Sequence, residues 1–532
     1  MYSGLSFNHK QQFGNLDLVI GGNNTCDEGY RINDYKQNTR FNVNTRYRFK
    51  KVEGLSVGFN SNFMATIKSD FFNYASDTTP FLPNPNVSMV FPTHGFRFNF
   101  DPFVYYYSPR DGGRYSLRTR YFRTNNINSD ESKSSTSDTY YAEFQYNNTF
   151  AKRWIVTAGI VESYSKVYAN LFGNHTANNT SLYAQLDAKF NRLKISLGLR
   201  GEYFMLDSEH SETAVKNFPI RPVARVGLNY ELTEKTFIRA SIGQGYRFPS
   251  ISEKYTSTDL GGAAIHPNPN ALPETGWNTE IGLKQGFNIS SNWKGFADFS
   301  IYHQQMHNML EFSFGIFDHN TGKEVPLILD SLDAIDTLEI GFIAKNMNDV
   351  MISGFDISTG IVGKINRATL SATLSYSYNY PLHKDGADET ASTTTNLLKY
   401  RFKHSIKADF QIDAKRLIAG LSVEWKSAIK NVDRIFCDER DLADLSTEQD
   451  IAYYFYGELL SNQVLIPGYW NYRKENAKKT FLNIDVNFGF NFSHNVKAVF
   501  VVRNLLNQTF SGRPADICAP RRYEVMVTYK FN

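Results

Sequence analysis

The amino-acid sequence predicts an all-β fold, a large antiparallel transmembrane β-barrel of about 21 to 22 strands. Three observations predict it. Apolar and polar residues alternate along successive segments, most segments are about ten residues long, and their connections are alternately short and long. We expect short periplasmic turns, long extracellular loops and one barrel domain that spans residues 1–532.

The alternation is clearest in residues 481–492, FLNIDVNFGFNF. Every second residue from Leu482 to Phe492 is apolar, whereas the residues between them are Asn, Asp or Gly. Because successive side chains of a strand point to opposite faces, this segment presents one apolar and one polar face. The last segment, 521–531, repeats the pattern with Tyr, Val and Phe on one face.

About 21 such segments follow one another, and a tilted strand of about ten residues is long enough to cross a bilayer. Segment 340–362 has room for two short strands. In chain order the predicted strands are 4–10, 14–22, 39–49, 55–65, 100–108, 114–123, 138–150, 154–164, 181–190, 193–204, 222–231, 236–246, 277–286, 293–304, 340–362, 368–380, 399–413, 416–427, 481–492, 496–504 and 521–531.

The connections between these strands differ in length according to their order. Short connections such as KKVEG, FAKR, LTEK and DAKR alternate with long ones, which is typical of an outer-membrane barrel and not of a soluble sandwich or propeller. The long connections are about 23–38, 66–99, 124–137, 165–180, 205–221, 247–276, 305–339, 381–398, 428–480 and 505–520. Aromatic residues make up 15% of the chain, and many end the apolar faces, as an interfacial girdle does.

Composition excludes several other classes of protein. Charged residues make up 21% and hydrophobic residues 41%, so the chain is not disordered. No run approaches 18 apolar residues, which excludes helical membrane spans. The formal net charge of +4 argues against a nucleic-acid partner. No group of nucleophile, base and metal ligands is recognisable, so we expect neither an enzyme nor a metal or cofactor site.

Two blocks of sequence resemble the barrel of TonB-dependent outer-membrane receptors. The first runs from GQGYRFPSISEKY (243–255) to NPNALPETGWNTEIGLKQG (268–286), and the second is RNLLNQTFSGRPADICAPRRYEVMVTYKF (503–531). The resemblance implies a receptor in the outer membrane of a Gram-negative cell that takes up a scarce, bulky solute such as an iron–siderophore, cobalamin or an oligosaccharide. The motif residues that carry it are Arg247, Pro249, Glu253, Tyr255, Asn268, Pro269, Pro273 and Glu274.

The resemblance also implies a plug domain, which nothing in residues 1–532 resembles. We therefore expect a barrel without the plug and the first strand. The partners implied are outer-membrane lipid, the TonB complex acting through a plug and box outside this chain, and a separately encoded plug segment. Glu280 matches a family glutamate that holds plug arginines, and we predict that Glu280 and Glu202 contact the plug.

The long loops are the expected place for ligand contact, because binding residues are often carried by loops on a rigid scaffold. Aromatic rings suit sugars, porphyrins and aromatic chelators alike, and loop-on-loop packing is the alternative role. The candidate ligand-binding residues are Arg247, Arg434, Asp438, Tyr454, Tyr456, Trp470 and Tyr472. Cys437 and Cys518 lie in consecutive long loops, so we predict a disulfide between them, with unpaired thiols as the alternative.

Three functions fit these features. The first is a TonB-dependent receptor and transporter for a scarce, bulky solute. The second is a plugless barrel fragment that acts as a simple porin or an adhesin. The third is a soluble all-β carbohydrate-binding protein, which would be extractable without detergent.

Overall fold

The computed structural model describes residues 1–71, 74–75, 78–83, 92–208, 216–259, 264–324, 338–347, 349–384, 395–433, 479–513 and 516–531. Its helices are short: α1 (Ile251–Tyr255) and a 3-10 turn (Glu131–Lys133). Within the described ranges, neither helix has the length and apolarity that a membrane-crossing helix requires. The strands are β1 (Tyr2–Phe13), β2 (Leu16–Asp27), β3 (Tyr35–Arg48), β4 (Leu55–Ser69), β5 (Thr93–Tyr107), β6 (Arg114–Asn128), β7 (Ser135–Phe150), β8 (Trp154–Ala169), β9 (His175–Phe190), β10 (Leu193–Ser208), β11 (Lys216–Thr233), β12 (Thr236–Arg247), β13 (Thr258–Asp259), β14 (Ala264–His266), β15 (Glu274–Ser290), β16 (Trp293–His307), β17 (Met309–Asp318), β18 (Leu338–Met347), β19 (Val350–Ile365), β20 (Ala368–His383), β21 (His404–Ala414), β22 (Leu417–Lys426), β23 (Phe481–Asn491), β24 (Val496–Arg503), β25 (Ser511–Arg513), β26 (Asp516–Ile517) and β27 (Arg522–Tyr529).

One sheet of 21 strands dominates the structure. It contains β1 to β12, β15, β16, β19 to β24 and β27, and each strand pairs antiparallel with the next one along the chain. This confirms the predicted fold class. The segment 340–362 does contain two strands, because β18 ends at Met347 and β19 begins at Val350.

The apolar face of this sheet is open rather than packed against a second layer. In β23, Val486 lies opposite Leu421 of β22 and Val502 of β24, so apolar side chains continue from strand to strand. On the same face, Phe488 is 62% exposed and Phe500 is 41% exposed. An apolar surface of this extent is covered by lipid in a transmembrane barrel.

The sheet curls until its two ends approach each other. The hydroxyl of Tyr30, in the loop after β2, donates a hydrogen bond of 2.6 Å to the carbonyl of Ile517, in the connection before β27. β1 and β27 run in the same direction, since an even number of antiparallel pairings separates them. In the described part of the chain, the outer edge of neither strand pairs with another strand.

The connections on the two rims of the curled sheet differ in length, with two exceptions. Ten connections of two to six residues form the short-turn rim, and the connections that alternate with them form the long-loop rim. Two of the latter, 129–134 and 170–174, are also short. The predicted short turns are therefore confirmed. Many strands are longer than the predicted ten residues, and the predicted long connection 165–180 shrinks to 170–174 between β8 and β9. Polar side chains extend the ladders, as where Asn128 donates to Thr93 at 3.2 Å.

A smaller sheet of β13, β14, β18 and β17 stands on the long-loop rim. Ala264–His266 of β14 pairs parallel with Gly341–Ile343 of β18, so two loops distant in sequence share one sheet. Beside it, Met347, Val350 and Leu398 form a small buried cluster. The prediction of one long connection over 305–339 was wrong in part, because β17 occupies Met309–Asp318.

Candidate functional site

An arginine clasp joins the two halves of the first motif block at the long-loop rim. Arg247 donates to Glu274 at 2.5 Å and to both carboxylate oxygens of Glu253 at 2.9 Å. Ser250 and Glu253 form the capping box that begins α1. Burial raises the pKa of Glu253, but hydrogen bonds from Ser250 and Arg247 outweigh it and leave the pKa below its ordinary value. Glu274 also accepts from the Leu310 amide at 2.6 Å, which ties the clasp to β17.

The NPNALPE segment is a strap across the β17–β18 hairpin. The side chain of Asn268 donates to the carbonyl of Ala344 at 2.8 Å. Asn346 accepts from the Leu272 amide at 2.7 Å and donates to the Leu272 carbonyl at 2.9 Å and the Asn308 carbonyl at 2.8 Å. These contacts fix the position of the hairpin on the rim.

The three prolines and the tyrosine of the motif lie in different environments. Pro249 is fully buried, whereas Pro269 is exposed and Pro273 is half-buried. The ring of Tyr255 stacks on His175 with centroids 4.0 Å apart, which connects α1 to the start of β9. The motif therefore forms contacts within the protein along most of its length.

A buried polar junction links β17 to two further loops. Lys399 and Asp433 form an ion pair in which both side chains are 0% exposed. Tyr400 donates to the other oxygen of Asp433 at 2.6 Å, and Lys399 donates to Ser313 of β17 at 3.3 Å. This junction fixes the beginning of the longest predicted loop, 428–480, against the hairpin.

Glu311 adds a second acidic group to this junction. Its side chain is 12% exposed and forms an ion pair with Arg401 at 3.8 Å. Burial raises the pKa of Glu311 above its ordinary value, although Lys399 and Arg401 oppose that rise. One carboxylate oxygen of Glu311 lacks a hydrogen-bond partner among the described residues.

A cluster of three rings and one cation lies where the polar face of the sheet meets the long-loop rim. We call Phe402, Phe481, Phe510 and Lys426 the mouth cluster. The ring of Phe510 lies 4.8 Å from Phe481 and 6.0 Å from Phe402, centroid to centroid. The Lys426 ammonium lies 5.4 Å from the Phe402 ring and 5.5 Å from the Phe481 ring, and 2.8 Å from Glu424.

The four members of the mouth cluster are half-buried, so an entering solute can reach them. Facing rings with a cation above them attract flat or aromatic groups and anions. Sequence analysis did not identify this cluster. The only local signal was Phe481, an aromatic residue on the otherwise polar face of β23.

Charged groups on the polar face pair with each other. Glu280 accepts from Arg239 at 2.9 Å, and Arg239 also binds Asp298 at 2.8 Å. Glu202 forms an ion pair with Arg200 two residues away. Glu280 and Glu202 thus lie on the polar face, and their predicted contact with a plug stays a prediction.

Most predicted ligand residues lie outside the described residues: Arg434, Asp438, Tyr454, Tyr456, Trp470 and Tyr472. Arg247 is described, and two carboxylates already neutralise it, so its role in ligand binding stays a prediction. Cys437 also lies outside the described residues, and its disulfide with Cys518 stays a prediction. Burial raises the pKa of the Cys518 thiol, which contacts the Gln508 carbonyl at 3.4 Å.

Fold and rim geometry together define an outer-membrane β-barrel with a structured long-loop rim. The sequence profile of the family "TonB dependent receptor-like, beta-barrel" matches residues 2–505. The chain belongs to the TonB-dependent receptor family, which implies an outer-membrane location and interaction with TonB. The polar face of the sheet is accordingly the inner wall of the barrel. No curated protein matches the sequence.

Solved structures of low sequence identity share the fold. The siderophore receptor PirA from Acinetobacter baumannii is 12% identical with a TM-score of 0.68, and the match covers 100% of this chain and 78% of that one. The FrpB iron transporter from Neisseria meningitidis is 13% identical, with a TM-score of 0.64 and coverage of 100% and 80%. The Serratia marcescens hemophore receptor HasR is 11% identical, with a TM-score of 0.65 and coverage of 99% and 78%. Family and neighbours are transport receptors, not enzymes.

Proposed function

We propose that this barrel takes up an anionic iron chelate, such as a ferric siderophore or haem, with energy supplied through TonB. The observation that carries the proposal is the mouth cluster, since a lysine held over two phenylalanine rings at the entrance of the inner wall suits an anionic, aromatic or flat ligand. The similar solved structures, which include a siderophore receptor, an iron transporter and a hemophore receptor, support the same class of ligand.

The clasp, strap and junction support this function indirectly. They hold the long-loop rim in one arrangement through contacts among Arg247, Glu274, Asn346 and Lys399. A rigid rim keeps the mouth cluster open and lowers the entropy lost when a ligand binds. Cobalamin and oligosaccharides, the other solutes considered from the sequence, carry less negative charge and would gain less from Lys426.

A binding screen tests the proposal. The purified chain would be titrated with a ferric catecholate, a ferric hydroxamate, haem, cyanocobalamin and a malto-oligosaccharide, and the Kd of each measured by quenching of tryptophan fluorescence. We expect an iron chelate to bind most tightly. Lys426→Gln should weaken that binding by about tenfold, since a desolvated cation–π contact and charge attraction are worth about 1 to 2 kcal/mol.

Lys407→Gln is the matched control. Lys407 lies on the same face, in the neighbouring strand β21, and its acidic neighbour Asp409 is 4.0 Å away. It is 64% exposed and contacts no aromatic ring within the described residues. Tighter binding of cobalamin or of the oligosaccharide, or equal loss of chelate binding in both variants, would refute the proposal.

A further inference from the structure

The turns of the short-turn rim are strongly basic. The ten turns together carry ten lysines and arginines but three carboxylates, Glu53, Asp111 and Glu234. The whole chain, by comparison, has a formal net charge of only +4. We call these cations the turn ring: Lys50, Lys51, Arg110, Lys152, Arg153, Arg192, Lys235, Arg367, Lys415 and Arg416.

The cations of the turn ring are available to a partner. All ten residues are exposed, and none forms an ion pair with another residue in the described part of the chain. Charges on the inner wall behave differently, because Arg239, Arg247 and Arg503 are each bound to two carboxylates. Carboxylates therefore neutralise these three arginines of the wall, whereas the cations of the turn ring stay charged.

Turn geometry does not require these lysines. Lys152 and Lys415 hold the left-handed backbone conformation, with φ of 58° and 42°. Side chains other than Gly and Asn adopt this conformation at an energetic cost. Asn191 and Asn366, with φ of 40° and 53°, occupy the first position of two other short turns, which is the position of Lys415 in its own turn. Lys152 is the second residue of its turn and follows Ala151, which has φ of 46°. A lysine where asparagine fits better points to a use for its charge.

Aromatic side chains mark the depth of the turn ring in the membrane. Exposed rings stand next to its cations: Phe49 is 39% exposed, Phe150 is 46% exposed and Trp154 is 38% exposed. Aromatic girdles of outer-membrane barrels lie at the boundary between hydrocarbon and headgroups. Lysine and arginine side chains just beyond such a girdle extend to the headgroup layer.

We propose that the turn ring binds the headgroups of anionic phospholipids in the leaflet that faces the periplasm. Its members are spread from the turn after β3 to the turn after β21, so they surround most of the barrel. A layer of headgroups meets the whole circumference of a barrel, whereas an acidic protein would bind one patch of it. Charge of this kind increases affinity for anionic lipid and is screened by salt.

Competition between lipids tests the proposal in the chain of residues 1–532. Trp154 and Trp293 each begin a strand directly after a short turn. The other three tryptophans, Trp277, Trp425 and Trp470, would be replaced by Phe, so that brominated lipids quench fluorescence only near the turn ring. Mixed vesicles of phosphatidylcholine and phosphatidylglycerol, in which either one or the other lipid is brominated, then give the relative affinity of the two lipids.

We expect phosphatidylglycerol to be preferred over phosphatidylcholine by at least about tenfold, with the preference falling as salt is raised from about 0.05 to 0.5 M. Changing Lys50, Lys51, Lys152 and Lys415 together to Gln should remove most of the preference. Changing the same four residues to Arg should keep it.

Three results would overturn the proposal. One is equal quenching by both lipids in the chain with its native turns. Another is a glutamine variant with the native preference. The third is soluble polyglutamate that displaces phosphatidylglycerol from the native turns, which would identify an acidic protein as the partner. The salt titration needs no substitution in the turn ring, so it decides the matter even if the glutamine variant does not fold.

Discussion

Removing one member of the buried Lys399–Asp433 pair should loosen the long-loop rim. Both side chains are fully buried, so Lys399→Met leaves an uncompensated carboxylate whose remaining partner is Tyr400. Breaking such a pair from one side costs about 3 to 5 kcal/mol. If the junction opens locally, that cost corresponds to an increase of about 10² to 5 × 10³ in the rate of amide exchange across Met309–Asp318.

Hydrogen exchange measured by mass spectrometry in lipid nanodiscs checks this value. Replacing both charges, as in Lys399→Met with Asp433→Leu, should cost less than either single change, because no isolated charge is left in the junction. Lys407→Met is the control, since its contact with Asp409 is exposed and worth at most about 1 kcal/mol. Exchange that rises equally in β20, or a double variant as unstable as the sum of the single variants, would refute the reasoning.

Three further predictions concern the rim and the edge of the sheet. Asn346→Ala removes three side-chain hydrogen bonds and should speed limited proteolysis of the β17–β18 hairpin several-fold, whereas Asn495→Ala in a short turn should not. The raised pKa of Glu311 means that its protonated form favours the folded junction, so this stability is present below the ordinary carboxyl pKa and is lost as pH rises through the raised value. Glu311→Gln should therefore slow hairpin exchange at about pH 7 but change little at about pH 4, and the opposite order would contradict the burial argument. Amides of β1 that point away from β2 should exchange faster than those of β15, which pairs on both sides, and equal protection would show that the outer edge of β1 is covered.

The strands of the barrel wall could be predicted because the polarity of each residue depends on the face of the strand that it occupies. Along β23, the choice between Leu, Val or Phe and Asn or Asp depends on which face the residue occupies, and neighbours in sequence carry that information. The same alternation is present in the strand that was not predicted. From Leu310 to Ile316 of β17, Leu, Phe and Ile alternate with Glu, Ser and Gly, so the local sequence did carry the signal of a strand.

Contacts between loops could not be predicted in the same way. Lys399 and Asp433 are 34 positions apart, and each is an ordinary charged residue in its own segment. Asn268 and Ala344 are 76 positions apart, and a single sequence gives no sign that they meet. Burial of an ion pair depends on how complete loops fold over one another. This is a property of the tertiary structure and not of the local alternation of apolar and polar residues.

The clasp explains why the family is recognisable when the ligand is not. Arg247 and Glu274, which carry the resemblance, bind each other and the amide of Leu310, so they serve to hold the rim together. A motif that stabilises the rim is compatible with many solutes and carries no information about any one of them. Specificity must then come from groups that the clasp leaves accessible. Lys426 and its rings are such a group within the described residues, which is why the ligand screen is built around Lys426 rather than around the motif.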